Sequence, residues 1–554
     1  MKKTRSLLIT FSGYPYTPSS FLPDNGLANL AACLKEAGHQ TLILDFNTPH
    51  TMEGLVSDEW KEINQHIVDD ISQWSSKNTS FSGIHKKLNK IDQLLTQGFK
   101  HIAHQICQTI EKEKIDWVGL KVWNGDGYTA SCVIAKMIKK NFKNMPILAG
   151  GPQIDWFGPF FLEVSPHFDF AAFGEGEPTV VAFAEMVLGQ RKLSEVPNLY
   201  YRKGKKIQQT QVVRVKNLDT IPTACYDEDV YPALYTNQKI NIGILEESRG
   251  CPIQCYFCEH PIKSGAVLRK KSIARVIEDV KNFQKTPGFQ AYKLAGSFTP
   301  SKHIQQIAKA LLDLPFPIQY VAFGHLKDSG NDFDLLKRSG CVALFFGLET
   351  GSDLILDSKM KKGYERQQAL KALKDCKNAG IFSITSIIYP SAGETEESRQ
   401  ATLDFIEEIQ PDSIPCHFPI ILPRTRWCLE PERFGFSFNA PYHHMKDYLS
   451  FFINYKPRLL YPPEFWPPLP YKIDDKPFSV FAKETSKMTQ TLEDRGHLTL
   501  MSDEVMLIGK HSQKPFNHFR DECRKALFYG DSQKLKTLVS DVNSSLKQMK
   551  CTIP

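Results

Sequence analysis

Two runs of alternating β and α patterning, separated by a short break, constrain this chain more than any other feature. In residues 5–190, short apolar runs alternate with amphipathic helical patterns. Strands are expected over 6–11, 41–46, 117–122, 146–149 and 168–173, with helices over 25–37 and 128–140. Asp24 or Asn25 caps the first helix and Gly38 follows its end. A polar, helix-rich insertion occupies about 52–114. This order predicts a doubly wound parallel sheet. Small or turn-forming residues fall where its strands end: Ser12-Gly13, Asn124-Gly125-Asp126-Gly127 and Gly150-Gly151-Pro152. That carboxyl edge is where open α/β sheets bind ligands.

Residues 196–236 break the rhythm with a small hairpin at 198–207 and a linker containing Ile221-Pro222. From 240 the alternation resumes, with strands expected over 242–246, 292–295, 318–322, 342–347, 383–389 and 414–421. Six βα units in so short a span suggest an incomplete (β/α)6 barrel of the TIM type. The expected organisation is a Rossmann-like domain (1–190), a hairpin and linker (191–238), a partial barrel (239–425), and a mainly helical or irregular C-terminal region (426–554). The chain is 554 residues long, enough for several cores. A net charge of +7 over that surface gives no support for a nucleic-acid partner. No stretch reaches the ~18 uninterrupted apolar residues of a spanning helix, so no membrane is expected. The apolar run after Lys2-Lys3 breaks at Gly13 and Pro15 and reads as a first strand rather than a leader. The protein is read as cytoplasmic, where thiols stay reduced.

Thirteen cysteines are too few for a disulfide scaffold. Three of them, Cys251, Cys255 and Cys258, share one loop just after the first strand of the second βα run. Three thiolates on a tight loop can hold three irons of a [4Fe–4S] cluster and leave the fourth iron open. Alternatives are a zinc site completed by His260, or chance. Zinc sites usually pair C-x₂-C units, and no second pair exists here. An electron-transfer ferredoxin would need a nearby fourth cysteine, and the next is Cys341. The remaining cysteines are scattered, so one cluster is expected.

This loop and its position resemble the radical S-adenosylmethionine (radical SAM) superfamily. Further stretches resemble it in order: Ala295-Gly296-Ser297, Phe346-Gly347-Leu348-Glu349-Thr350-Gly351-Ser352, and Tyr389-Pro390-Ser391-Ala392-Gly393-Glu394-Thr395. In the last of these, Ala392 replaces the family's proline. Taken alone, Glu349 reads equally as a solvated strand-end carboxylate, and Gly393-Glu394-Thr395 as a helix start. The resemblance implies cluster ligation by Cys251, Cys255 and Cys258. It also implies SAM contacts from Tyr256, Phe257, Gly296, Ser297 and Glu349.

The first 190 residues resemble the cobalamin-binding domain that precedes the barrel in many of these enzymes. The matching segments are 23–31, 149–152 and 173–178. The family's D-x-H-x-x-G signature is absent, and Ser12-Gly13-Tyr14-Pro15-Tyr16 stands in its place. The residues implied for cobalamin are Ser12, Gly13, Tyr14, Trp123, Gly125, Gly150, Gly151, Gly174, Glu175 and Gly176. Trp123 reads either as a shield for a corrin face or as core filling.

The resemblance implies a cobalamin-dependent radical SAM methyltransferase acting on an unactivated carbon of a small-molecule or peptide substrate. An electron donor such as flavodoxin or ferredoxin is implied with it. A radical cyclase, rearrangement or oxidation enzyme is the second reading, and a non-catalytic iron–sulfur or corrinoid sensor the third. The aromatic, proline-rich segment 462–468 and Trp427 read as a lid over the barrel mouth or as packing against its side.

Overall fold

The computed structural model describes residues 2–72, 81–327, 330 and 332–549. Near-continuous apolar runs such as Leu7-Leu8-Ile9 bury both faces of a strand, as a parallel sheet flanked by helices requires. The N-terminal strands are β1 (Arg5–Thr10), β2 (Gln40–Asp45), β3 (Trp117–Lys121), β4 (Ile147–Gly150) and β5 (Phe170–Ala172). They lie in the order β2-β1-β3-β4-β5, all parallel. Asp24 caps helix Asn25–Glu36 by accepting the Leu27 N–H. The helical insertion is present as Pro49–Leu55, Asp58–Ser72 and Phe81–Glu113.

The hairpin, β6 (Leu199–Lys203) and β7 (Lys206–Gln209), extends this same sheet antiparallel beyond β5, giving seven strands. It therefore continues the first sheet rather than standing apart from it. The linker is fastened beneath that sheet by a buried network. Lys239 Nζ lies 2.7 Å from Asp45, and the Tyr231 hydroxyl donates to Asp45 at 2.5 Å.

The second sheet holds β8 (Ile242–Leu245), β11 (Ala291–Leu294), β12 (Gln319–Phe323), β13 (Cys341–Glu349), β14 (Phe382–Ile388) and β15 (Cys416–His417), parallel and in that order. Between β8 and β11 sits a two-stranded ribbon, β9 (Ser248–Arg249) and β10 (Arg269–Lys270). The sixth strand is two residues long, shorter than its apolar pattern suggests. Pro415 and Pro419 flank it and lack the N–H that a longer ladder needs. Side chains alternate along β11 and β12. Tyr292, Leu294, Tyr320 and Ala322 pack outward with Val276, Val280 and Ile307. Ala291, Val321 and Ala343 face the other way, into a cluster with Met501, Val505, Met506 and Ile508.

The helix Asp503–His511 thus occupies the inner side of the half barrel. Its anchor is ionic: Lys293, on β11, contacts Asp503 and lies 3.4 Å from Glu504, with its ammonium 4.2 Å above the Phe323 ring. Trp466, in the proline-rich segment, packs edge-on against Phe418, and Arg458 makes two bonds to Asp92 of the insertion at 2.9 and 2.8 Å. That segment joins the insertion to the barrel side, which is the packing reading. Lys271 is buried and lies 2.7 Å from Asp279.

Candidate active site

The cysteine loop grows from the β9–β10 ribbon. Gly250 (φ +92°) starts it where a Cβ would stand 2.2 Å from the Val267 carbonyl, so the loop closes tightly at its base. Cys251 N–H donates to the Gly265 carbonyl. Burial raises the Cys255 thiol, and burial together with the neighbouring cysteines pushes Cys258 to about 12. Such a set ionises when a metal cation supplies the compensating charge. Among the described residues no three His, Cys, Asp or Glu side chains converge as a single ion requires. His260 is engaged instead with Ser297 Oγ at 2.9 Å. The donor set, three thiols of one loop with no fourth ligand at hand, fits three corners of an iron–sulfur cluster better than zinc.

Around the loop, Phe257 packs on Trp427 with ring centroids 5.4 Å apart, and Tyr256 on Phe434 at 5.0 Å. Lys361, Arg426 and Arg433 lie 5.8, 5.5 and 5.5 Å from the Tyr256 ring. Trp427 N–H donates to the Tyr256 carbonyl, so Trp427 supports the loop from behind. Glu349 ends β13 with φ +68° and accepts from Lys362 at 2.9 Å. A Cβ at Gly347 would fall 2.4 Å from Glu349 Oε1 and 2.8 Å from Lys362 Nζ, so only glycine admits that pair.

At the end of β11, Gly296 N–H donates to both carboxylate oxygens of buried Glu247, each at 3.1 Å. Thr299 and Ser248 hydroxyls complete the set at 2.5 and 3.2 Å. A Cβ at 296 would lie 2.0 Å from Glu247 Oε1. Burial raises the Glu247 carboxyl despite these donors.

A cavity of about 400 Å³ opens between the two sheets. From the barrel it is lined by Ser248, His260, Lys263, Ala295 and Ser297, and from the N-terminal sheet by Lys121, Trp123, Gly150, Gly151, Asp155 and the Gly174–Gly176 turn. Gly150 and Gly174 have nothing within 4 Å of a built Cβ, so they present bare backbone to open space. A flat ligand pressed against a sheet edge needs such a cradle. Trp123 is held by its N–H on Thr10 Oγ1 at 3.0 Å, with the Lys121 ammonium 4.5 Å from its ring. Lys121 in turn lies 2.7 Å from Asp24.

The remaining residues singled out from sequence are directed elsewhere. Ser12 donates to Asn47 Oδ1, and Gly13 packs where a Cβ would meet Asp126 Cβ at 2.4 Å. The Tyr14 hydroxyl donates to the Leu527 carbonyl at 2.5 Å, and Gly125 packs beside Pro457. None of these four lines the cavity. Sequence reasoning missed Glu247, Lys121 and Asp155. Asp155 accepts the Gly174 N–H at 2.7 Å, and burial raises its carboxyl to about 6.

Residues 246–406 match the family model of the radical SAM superfamily and are a radical SAM domain. Nearly the whole chain shares its fold with a solved structure. It superposes on TsrM from Kitasatospora setae, solved with cobalamin and a [4Fe–4S] cluster bound, with a TM-score of 0.61 at 14% identity, covering 96% of this chain and 100% of that one. In sequence it is 27% identical over 328 residues to a Pyrococcus horikoshii protein named an uncharacterized methyltransferase, covering 58% of this chain and 70% of that protein. It is 29% identical over 175 residues to the cobalamin-dependent radical SAM methyltransferase TokK of Streptomyces tokunonensis, covering 30% and 24%. Apart from the Pyrococcus protein, this chain spans only 24 to 56% of these curated relatives. No described helix is long and apolar enough to cross a membrane.

Proposed function

We propose that this protein is a cobalamin-dependent radical SAM methyltransferase acting on an unactivated carbon of a small molecule or peptide. The observation that carries this reading is the single cavity shared by the barrel's strand ends and the glycine-bared edge of the N-terminal sheet. Cys251, Cys255 and Cys258 would hold a [4Fe–4S] cluster. Gly296, Ser297 and Glu349 would contact SAM, and Gly150, Gly151, Gly174 and Gly176 would seat cobalamin, with Trp123 beside it. When bound, these groups supply one-electron SAM cleavage and methyl transfer.

The chain's own residues bind, orient and exclude water. Glu247 fixes the β11 turn through the Gly296 N–H, which keeps the strand end open to a ligand. Lys362 and Glu349 neutralise each other beside the cluster loop. Phe257 and Trp427 wall the loop off on one side. A cytoplasmic setting belongs to this reading, because thiolates that hold a cluster need a reducing compartment. So does a one-electron donor such as flavodoxin or ferredoxin.

The test is anaerobic reconstitution with iron, sulfide and hydroxocobalamin, then incubation with SAM and a chemical reductant. Corrinoid retention, 5′-deoxyadenosine and S-adenosylhomocysteine are expected. A reconstituted protein that retains no corrinoid refutes the methyltransferase reading and leaves a radical cyclase or rearrangement enzyme.

A further inference from the structure

Five charged side chains lie where the cysteine loop meets the N-terminal sheet, and of these only Glu175, implied for cobalamin by the resemblance, carries an earlier role. Arg249, on β9, is bound from two directions. Its Nε and Nη2 each lie 2.8 Å from Glu246, at the end of the first barrel strand. Its Nη2 and Nη1 also reach Glu177 at 2.5 and 3.3 Å, and Glu175 stands 3.8 Å away. Arg269, paired with Arg249 across the ribbon, lies 2.6 Å from Glu175 and also donates to the Val215 carbonyl at 2.5 Å. All five side chains are at most 15% exposed. Arg249 and Arg269 are the two stems of the loop that carries Cys251, Cys255 and Cys258. Glu175 and Glu177 belong to the turn whose backbone lines the cavity on the N-terminal side.

We propose that Arg249 and Arg269, gripping Glu175 and Glu177, are positioning residues that set the distance between the cysteine loop and the ligand edge of the N-terminal sheet. This rests on the reading of that edge as a cobalamin seat. The bidentate Arg249–Glu177 contact fixes orientation as well as distance, and the Arg269–Glu175 ion pair on the adjacent strand resists rotation of the loop about it. Radical formation needs only the barrel. Moving the methyl group of SAM to a corrinoid needs both halves in register. In that step the S–CH3 bond breaks, S-adenosylhomocysteine leaves with its bonding pair, and the reduced corrinoid, supplied with electrons by a chemical reductant, provides the pair for the new Co–C bond. A loosened latch should therefore impair the second product and spare the first.

The experiment compares the parent with Glu177→Gln and, as a milder second variant, Arg249→Lys, each as the full chain. After reconstitution with hydroxocobalamin, SAM and titanium(III) citrate are added without substrate. The expected result is a ratio of S-adenosylhomocysteine to 5′-deoxyadenosine at least tenfold lower in Glu177→Gln, with deoxyadenosine within twofold of the parent. An unchanged ratio, including an equal fall in both products, overturns the proposal. Hydrogen exchange of the apoprotein gives an answer independent of turnover. Faster exchange confined to 174–177 and 250–268 supports the latch, and unchanged exchange there overturns it. If the parent retains no corrinoid, the functional reading fails, and the exchange result still decides whether the latch exists.

Discussion

Replacing Lys293 by methionine tests whether the late helix Asp503–His511 is truly built into the barrel. The Lys293 side chain is 7% exposed and the Asp503 side chain 2%. Burial pulls the lysine pKa down, but Asp503 and Glu504 outweigh it and keep the ammonium charged. Lys293→Met leaves two adjacent carboxylates in the barrel interior with no cation, a loss of about 3–5 kcal/mol. The cost should depend on pH with a defined sign. Native carboxyls forced to take up protons then have pKa values above their unfolded ones, so the variant's stability falls as pH rises. The slope is about 1.4 kcal/mol per pH unit for each proton taken up. Lys293→Met combined with Asp503→Leu removes both buried charges and should recover all but about 1–2 kcal/mol. Glu504 remains 27% exposed and holds the Ser502 hydroxyl at 2.9 Å. Urea unfolding of the apoprotein at pH 6 and pH 8, with limited proteolysis to locate the first segment released, measures these differences. A single-variant cost under about 1 kcal/mol, equal at both pH values, would refute the claim that this pair anchors the helix.

Two further outcomes follow from the cavity. Gly296→Ala puts a Cβ 2.0 Å from Glu247 Oε1 and 2.3 Å from Ser248 Oγ. The resulting strain of about 1–3 kcal/mol should weaken SAM binding by about 5- to 150-fold while the cluster absorbance persists, and parent-like binding would contradict the assignment. Asp155, raised by burial to about 6 from 3.8, binds its proton more tightly when folded. Its contribution to stability is therefore present at acid pH and lost as pH rises from about 4 to 6, by up to about 3 kcal/mol. Asp155→Asn should flatten that part of the stability–pH curve, and an unaltered slope would show that the carboxyl is not buried as described.

Much of this architecture can be read before any coordinates exist, because it rests on local periodicity. Buried parallel strands such as Leu7–Ile9 and Val321–Ala322 read as apolar runs, and the cysteine triplet is contiguous. What escapes is set by partners distant in sequence. The hairpin at Leu199–Gln209 reads as a hairpin, but nothing within it says that its edge meets Phe170–Ala172. Gly13 looks like a ligand-edge glycine, yet its missing side chain is required by Asp126. Lys271 and Arg249 look like ordinary surface cations until Asp279 and Glu177 are brought to them. The role of the region after 500 was equally invisible, since its apolar face matches any concave surface until the half barrel is assembled.

That last arrangement bears on how the chain is made. Val321, on the inner face of β12, shares a core cluster with Val505, which is synthesised 184 residues later. At roughly 5–20 residues per second, that is an interval of about ten to forty seconds. During it the half barrel has emerged with its interior uncovered and Lys293 without its carboxylates. A translating ribosome thus presents an apolar trough, exposed to the contacts that lead to aggregation until the helix arrives.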